Sequence, residues 1–566
     1  MSLSGQFFEV RCMNGERFQV DRTDIVTASD LKSRLRSSYA GDVVTRRVLT
    51  IQLLKDGRVI QDQEDLKDLC IHDEPGVCVV FGRNTLETME YHITAGMEQD
   101  FELRIPDGVT EISDCAYFAD LPHVISIILP ESVTEIAGYA FRGCESLTEV
   151  SLPDSLTWIG SSAFRFCQAL ETITLPRELS DIGLLAFGGC LSLQSIILPE
   201  WLRRIEPLVF EKCITLETVE ISDWVQSIGE GAFLGCMSLR RVNIPEWVTD
   251  IGPYVFQDCV SLKKVEIPYS VESIGVAAFQ GCSSLETIEI PSQVTRMRTE
   301  TFDGCSCLKS VTIPCRMETI DFLCFRRCES LREITLPASV IHIHARAFAE
   351  CRSLERISIG NGPKFIGDGA FEFCTSLTAV VLPRYLPSIG ESVFNACASL
   401  QKVRIPDFVR NIDAHAFEGC QSLRSIDLPD SITKIGSWAF KDCTSLEGIV
   451  VPDWVRGVGT GVFCGCVSLA WVVLPGSVIE IDDRAFADCI SLKRIVLPEQ
   501  LRAIGRGAFE DCNALDMIKL PNLVTCIGES AFAGCNSLEM FEMSPSLISI
   551  GQYAFVGCSA LKCIVL

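Results

Sequence analysis

No Asn-x-Ser/Thr sequon occurs anywhere in the chain, so N-linked glycosylation is excluded and an intracellular life is expected. No run approaches the roughly 20 apolar residues that span a bilayer, although 48% of residues are hydrophobic. The apolar residues are spread at regular spacing instead, and no membrane contact is expected. The opening stretch, Met1 to Cys12, has neither a basic start followed by an apolar segment nor a small-residue cleavage site, which argues against a secretion signal and for a cytoplasmic chain. Positive charge is scarce: 49 Lys+Arg stand against 74 Asp+Glu, for a net charge of -25. Residues 1 to 84 hold 12 basic and 13 acidic residues, so the remaining chain carries -24 of that total. Such an acidic body repels nucleic acid and anionic membrane, which leaves a basic or neutral protein as the expected partner. Histidine is rarer still, with six residues, and no phosphate loop, nucleophile elbow or dinucleotide fingerprint is present. No enzyme, cofactor or metal is therefore expected.

What the chain has in abundance is repetition. Twenty phenylalanines stand every 23 residues from Phe118 to Phe555, and a cysteine follows three residues after nineteen of them, from Cys144 to Cys558. Only the first repeat departs, with Leu121 at the cysteine position, as a terminal repeat does when it meets something other than its own copy. So short a period implies a solenoid, in which a single turn cannot bury its apolar face and stability comes from stacking. The 29 cysteines are expected to be reduced, small, buried side chains, one for each turn. Stacked copies would lie about 5 Å apart, a separation that a disulfide could also span.

Residues 144 to 167 illustrate one turn. Leu147, Val150 and Leu152 form a short strand, and Pro153, lacking an N–H, ends its ladder at a fixed place. Leu156 and Ile159 lead into a second extended segment that closes at Gly160, read as a positive-φ turn residue. Ala163, Phe164 and Cys167 are expected to pack a short helical turn or tight bend against the next repeat. The unit L-x-x-I-x-I/L-P-x-x-V-x-x-I-G-x-x-A-F-x-x-C-x-S resembles the BspA-like leucine-rich repeats over residues 101–566. That resemblance implies a recognition solenoid with no catalytic residues, β-rich with short helical turns and about twenty repeats.

Residues 1–84 follow a different pattern. Strands are expected at Gln6 to Cys12 and Glu16 to Val20 around the turn Asn14-Gly15. A helix is expected from Ile25 to Leu35, then strands at Val48 to Leu54, Val59-Ile60 and Val77 to Phe81, with a short helix at Glu64 to Leu69. This order resembles a ubiquitin-like β-grasp domain, with Leu53 to Ile60 its most telling stretch. The conjugation chemistry of that family does not transfer, since Phe81-Gly82-Arg83-Asn84 runs on into the chain. Residues 85–100 read as a linker and capping strand.

Against so regular a background, candidate contact residues are those that break a column. Two positions after the strand proline the residue is usually small, as in Ser132, Ser155 and Ser339, but Trp201, Trp224 and Trp247 stand there in three successive turns. Arg240, Arg241, Lys263 and Lys264 add a basic spot nearby, and aromatic residues beside arginine are typical of binding hot spots. Tyr385, Phe408 and Trp454 recur in the same column, so packing along the flank is an equally open reading. A second break is Val450, Val473 and Val496 at an outward strand position that is usually polar, joined by Trp471. Together they would form an apolar strip on the concave face, which suits a protein contact as well as the ordinary strand preference of β-branched residues. His342-Ile343-His344, with Cys328 and Cys351 in adjacent turns, is a weak zinc pattern.

Two functions follow as expectations. One is a non-enzymatic scaffold that holds a protein through the concave face and the aromatic edge. The other is an adaptor in a ubiquitin pathway, in which the first domain recruits machinery and the repeats select cargo. The last stretch, Leu561 to Leu566, is a stacking strand without its proline and turn, an open edge expected to favour self-association.

Overall fold

The computed structural model describes residues 100–105, 107–112 and 118–565, together with the backbone of six earlier strands. Those strands are Phe7–Arg11, Arg17–Asp21, Val48–Lys55, Arg58–Ile60, Val77–Asn84 and Met89–His92. The first two pair antiparallel, as do Val48–Lys55 with Val77–Asn84 and Val77–Asn84 with Met89–His92. Met89 then registers in parallel with Ile112, joining this backbone to the first repeats. The helices expected at 25–35 and 64–69, and with them the ubiquitin-like assembly, lie outside the described residues. The chain forms two compact units, Met1–Pro268 and Tyr269–Leu566.

In the first unit each turn contributes two short parallel strands. One ladder runs through Ser195–Ile197, Thr218–Glu220, Arg241–Asn243 and Lys264–Glu266, and partners always stand one 23-residue period apart, as in Ser195↔Thr218 and Thr218↔Arg241. The other runs through Arg204–Ile205, Ser227–Ile228 and Asp250–Ile251. Side chains alternate along each strand, so Val219 and Val242 are buried between exposed neighbours. The ladder ends where the proline column begins, and the proline carbonyl opens a tight turn instead, as in Leu156 N–H to Pro153 C=O at 3.2 Å. The second unit repeats this plan, with ladders such as Glu333–Leu336, Arg356–Ile359, Ala379–Val381 and Lys402–Arg404.

The core is the phenylalanine column. Successive rings in the first unit stack at centroid distances of 5.4 to 5.7 Å from Phe118 to Phe256. In the second unit the same stacking runs from Phe279 to Phe555. Each near-parallel pair adds roughly 0.5–1.5 kcal/mol beyond the burial of its area. The cysteine column lies beside it. Cys167, Cys190 and Cys213 each direct the thiol at the carbonyl of the phenylalanine 26 residues earlier, at 3.2 Å, so the sulfur serves as a donor in the ladder.

Two local expectations are corrected. Of the two readings of the segment around each phenylalanine, the tight bend holds and the helical turn does not, and among the described residues no helix is formed. Its N–H groups alternate between a local turn bond (Arg165 to Ser162 C=O, 3.2 Å) and the next repeat (Phe164 to Ala186 C=O, Phe166 to Gly188 C=O, both 2.8 Å), which leaves no run of i→i−4 bonds. The column glycine, moreover, is not a positive-φ residue. Left-handed backbone falls at Ser162 (58°) and Phe166 (64°), two residues either side of Phe164. Gly160 is required for space: a Cβ there would stand 2.6 Å from the carbonyl carbon of Ala137 in the preceding turn.

Candidate functional site

The aromatic edge of the first unit is built on the tight turns that follow the strand ladder. In the consensus turn the serine at this position folds back onto its neighbour: Ser155 Oγ donates to Val133 C=O at 2.7 Å, and Ser339 Oγ to Met317 C=O at 2.6 Å. An indole cannot take that place, and Trp201, Trp224 and Trp247 project outward, 54%, 53% and 62% exposed. The base under each is firm. Leu202, Val225 and Val248 follow directly and are buried, and their N–H groups close i→i+3 turns on Pro199, Ser222 and Pro245 at 3.2, 3.1 and 3.0 Å. Ser222, which stands in the proline column, accepts the N–H of Trp224 at its Oγ (3.3 Å) and replaces the ring as the turn's constraint.

The three indoles make no ring-to-ring contact with one another among the described residues. Trp224 is covered instead by the guanidinium of Arg203, 5.0 Å from the ring centroid, a residue the sequence reading did not single out. Its signal was available: Arg203 stands two residues after Trp201, where preceding turns carry Thr134, Thr157 and Ser180, and that position faces the next turn's aromatic. Arg240, Arg241, Lys263 and Lys264 lie on the strand side. Arg241 and Lys264 are register partners, Arg240 pairs with Glu217 at 3.2 Å, and Lys264 pairs with Glu266 at 2.6 Å. Half of this basic spot is thus neutralised within the chain, and Arg203 is the cation that reaches the indole.

In the second unit Val450, Val473 and Val496 face outward from the strand ladder, Val496 at 83% exposure, and Val450↔Val473 are direct partners. Trp471 is half-exposed and lies flat over Gly448, leaving no room there for a Cβ. Met517 and Met540, register partners that are also exposed, add apolar surface further along, separated from Trp471 by Arg494. Both stand in the column of Trp471, where reading down the stack would have found them. Ion pairs Arg494–Asp516 at 3.4 Å and Lys519–Glu542 at 3.1 Å stand among these apolar residues. Tyr385 and Phe408 meet edge to face at 5.2 Å, and Trp454 is exposed.

The histidine pattern resolves differently from a metal site. His344 Nε2 lies 3.7 Å from Oδ1 of buried Asp321, whose carboxylate takes both Nε and Nη2 of Arg296 at 2.9 and 3.0 Å. Cys328 and Cys351 donate to Phe302 and Phe325 carbonyls, and no cluster of metal-ligating side chains occurs among the described residues. Burial pushes column thiols such as Cys190, Cys213 and Cys236 up, Cys213 to about 12, so the thiolate a nucleophile would need is not formed at these near neutral pH.

A family model described as "BspA type Leucine rich repeat region" matches residues 100–217, 203–332, 318–447 and 456–566. Among solved structures, a leucine-rich repeat protein from Bacteroides ovatus is 26% identical with a TM-score of 0.53, over 73% of this chain and 95% of that one. A leucine rich cell surface protein from Faecalibacterium prausnitzii is 24% identical with a TM-score of 0.40, over 62% of this chain and 92% of that one. A leucine-rich repeat protein of T. pallidum is 30% identical with a TM-score of 0.27, over 35% of this chain and 83% of that one. No curated protein sequence matches the chain.

Proposed function

The chain belongs to the BspA-type leucine-rich-repeat family, and on that premise we propose that it is a non-enzymatic scaffold that holds a partner protein on its aromatic edge. The observation that carries this reading is the replacement of an inward, hydrogen-bonding serine by an outward indole in three successive turns, with the turns beneath left intact. A packing role would call for the rings to cover one another or the stack, whereas each leaves about half its surface in solvent. Exposed aromatics on a rigid base lose little conformational entropy on binding. The Val450–Val473–Val496 strip with Trp471 is a second contact surface on the strand face. The buried thiols of the cysteine column favour a role without covalent catalysis. We infer a reducing compartment such as the cytoplasm, where these sulfurs stay free thiols able to donate to the phenylalanine carbonyls.

Affinity capture with the intact chain beside a triple variant, Trp201→Ser, Trp224→Ser and Trp247→Ser, tests this reading. Serine already occupies this column in other turns, so the variant is expected to melt with the wild type and to lose its partner. Equal losses of stability and of binding would mean that the tryptophans are packing.

A further inference from the structure

We propose that the Trp201–Trp224–Trp247 edge docks an extended, proline-rich peptide segment that carries arginine or lysine; this rests on the protein-binding reading above and gives its partner a chemistry.

Spacing is the first argument. The turns that bear the indoles follow strands in unbroken parallel register, Ser195↔Thr218↔Arg241, so successive turns advance by about 4.8 Å and alternate ones by about 9.6 Å. A polyproline II peptide rises about 3.1 Å per residue with three residues per turn, so one face repeats every 9.3 Å or so. Residues i and i+3 of such a peptide therefore meet Trp201 and Trp247, with Trp224 between them. A β-strand returns to the same face every 6.8 Å or so, which matches neither one turn nor two.

Polar complementarity selects the same ligand. A polyproline II backbone makes no internal hydrogen bonds, and its carbonyls are free to accept. None of the three indole N–H groups donates to another described residue, so each is available to such a carbonyl, while the ring surfaces left exposed, on Trp224 those away from Arg203, offer apolar platforms for pyrrolidine rings. A helix would bring no free carbonyls along its length.

Charge completes the description. Each tryptophan is preceded by an exposed carboxylate, Glu200, Asp223 and Glu246, and none of the three is ion-paired among the described residues. They form an acidic row beside the indoles. The chain provides its own illustration of the occupant, since the Arg203 guanidinium already lies 5.0 Å from the Trp224 ring centroid. A basic side chain from the partner would find an indole face and, on the residue before it, an exposed carboxylate. The second unit lacks a matching run: Ser431 stands between Phe408 and Trp454 in this column, and Tyr385 is preceded by Arg384 in place of an acid.

The test uses the intact chain and labelled peptides, followed by fluorescence anisotropy or calorimetry. A peptide of repeated Arg-Pro-Pro units long enough to cross all three indoles is expected to bind. A repeated Arg-Gly-Gly peptide has the same charge without the preformed helix, and a repeated Glu-Pro-Pro peptide has the helix with the wrong charge. Each is expected to bind at least about tenfold more weakly, the scale of one hot-spot contribution. Trp224→Ser alone, and the triple variant Glu200→Gln, Asp223→Asn and Glu246→Gln, which leaves the indoles in place, are each expected to weaken the Arg-Pro-Pro peptide by a similar factor. Equal binding of the Arg-Gly-Gly peptide, unchanged affinity in Trp224→Ser, or no binding of the Arg-Pro-Pro peptide would overturn the proposal. If that peptide does not bind while the triple tryptophan variant still loses its captured partner, the peptide assignment falls and the protein-binding reading stands.

Discussion

Replacing Phe417 by alanine removes one ring from the middle of the second unit's stack. Phe417 is fully buried and lies 5.4 Å from both Phe394 and Phe440, at interplanar angles of 15° and 1°. Deleting a buried phenylalanine costs about 3–5 kcal/mol in transfer and cavity terms. Losing two stacked partners, each worth about 0.5–1.5 kcal/mol, puts this site at the upper end of that range. A solenoid is stabilised by contacts between neighbouring turns, so the damage should spread in both directions. The amides of Phe394 and Phe417, which donate to Ala416 and Ala439 in the next turn at 2.9 and 2.8 Å, are expected to lose protection together. Phe555 is the comparison, being only partly buried and stacked on Phe532 alone within the column. Guanidinium unfolding followed by circular dichroism reads the energy, and hydrogen exchange by mass spectrometry reads its spread. A loss below about 1 kcal/mol, no more than an average substitution, would refute the reasoning. So would exchange confined to the substituted turn, or an equal loss at Phe555.

Gly436→Ala should destabilise by about 1–3 kcal/mol because its Cβ would lie 2.5 Å from the Ala414 nitrogen. Gly419→Asn, at φ 71° with its nearest atom at 3.4 Å, should cost less; melting temperatures give the order, and the reverse order would count against the close-approach account. Native thiol titration at pH 8 should label the exposed Cys307, Cys315 and Cys563 and spare the buried column until denaturant is added. Since burial holds Cys213 at about 12 against an ordinary 9.0, the unfolded chain loses its proton first, and stability should fall as pH climbs above the ordinary thiol value. Burial also lowers the pKa of His344 from 6.5, so the unfolded state binds the proton first and stability should fall as pH drops below that value. His344→Asn should flatten that slope in the guanidinium midpoint, and an unchanged slope would remove His344 as its source.

The repeat architecture was legible because it is carried by strict columns: a buried phenylalanine every 23 residues, a proline that ends each ladder, and a cysteine beside the ring. What the sequence reading missed depends on where backbone bonds and side chains go in three dimensions. The segment around Phe164 looks helical in its spacing, yet its N–H groups are shared alternately with the next turn. Gly160 is a glycine for want of room, and the left-handed backbone falls on Ser162 and Phe166, which no residue preference marks. Within the candidate site the tryptophans are visible as exceptions to a serine column, but Arg203 reaches Trp224 across the gap between turns. Met517 and Met540 add exposed apolar surface beyond Arg494 because strand register aligns them in the column of Trp471.

Hydroxyl-radical footprinting of the intact chain, free and with its captured partner bound, addresses the central claim most directly. Trp201, Trp224 and Trp247 are each more than half exposed in the free chain, and should oxidise readily there and be protected together in the complex, while the buried phenylalanine column stays unmodified in both. Oxidation of all three indoles at the same rate with the partner bound would contradict the account.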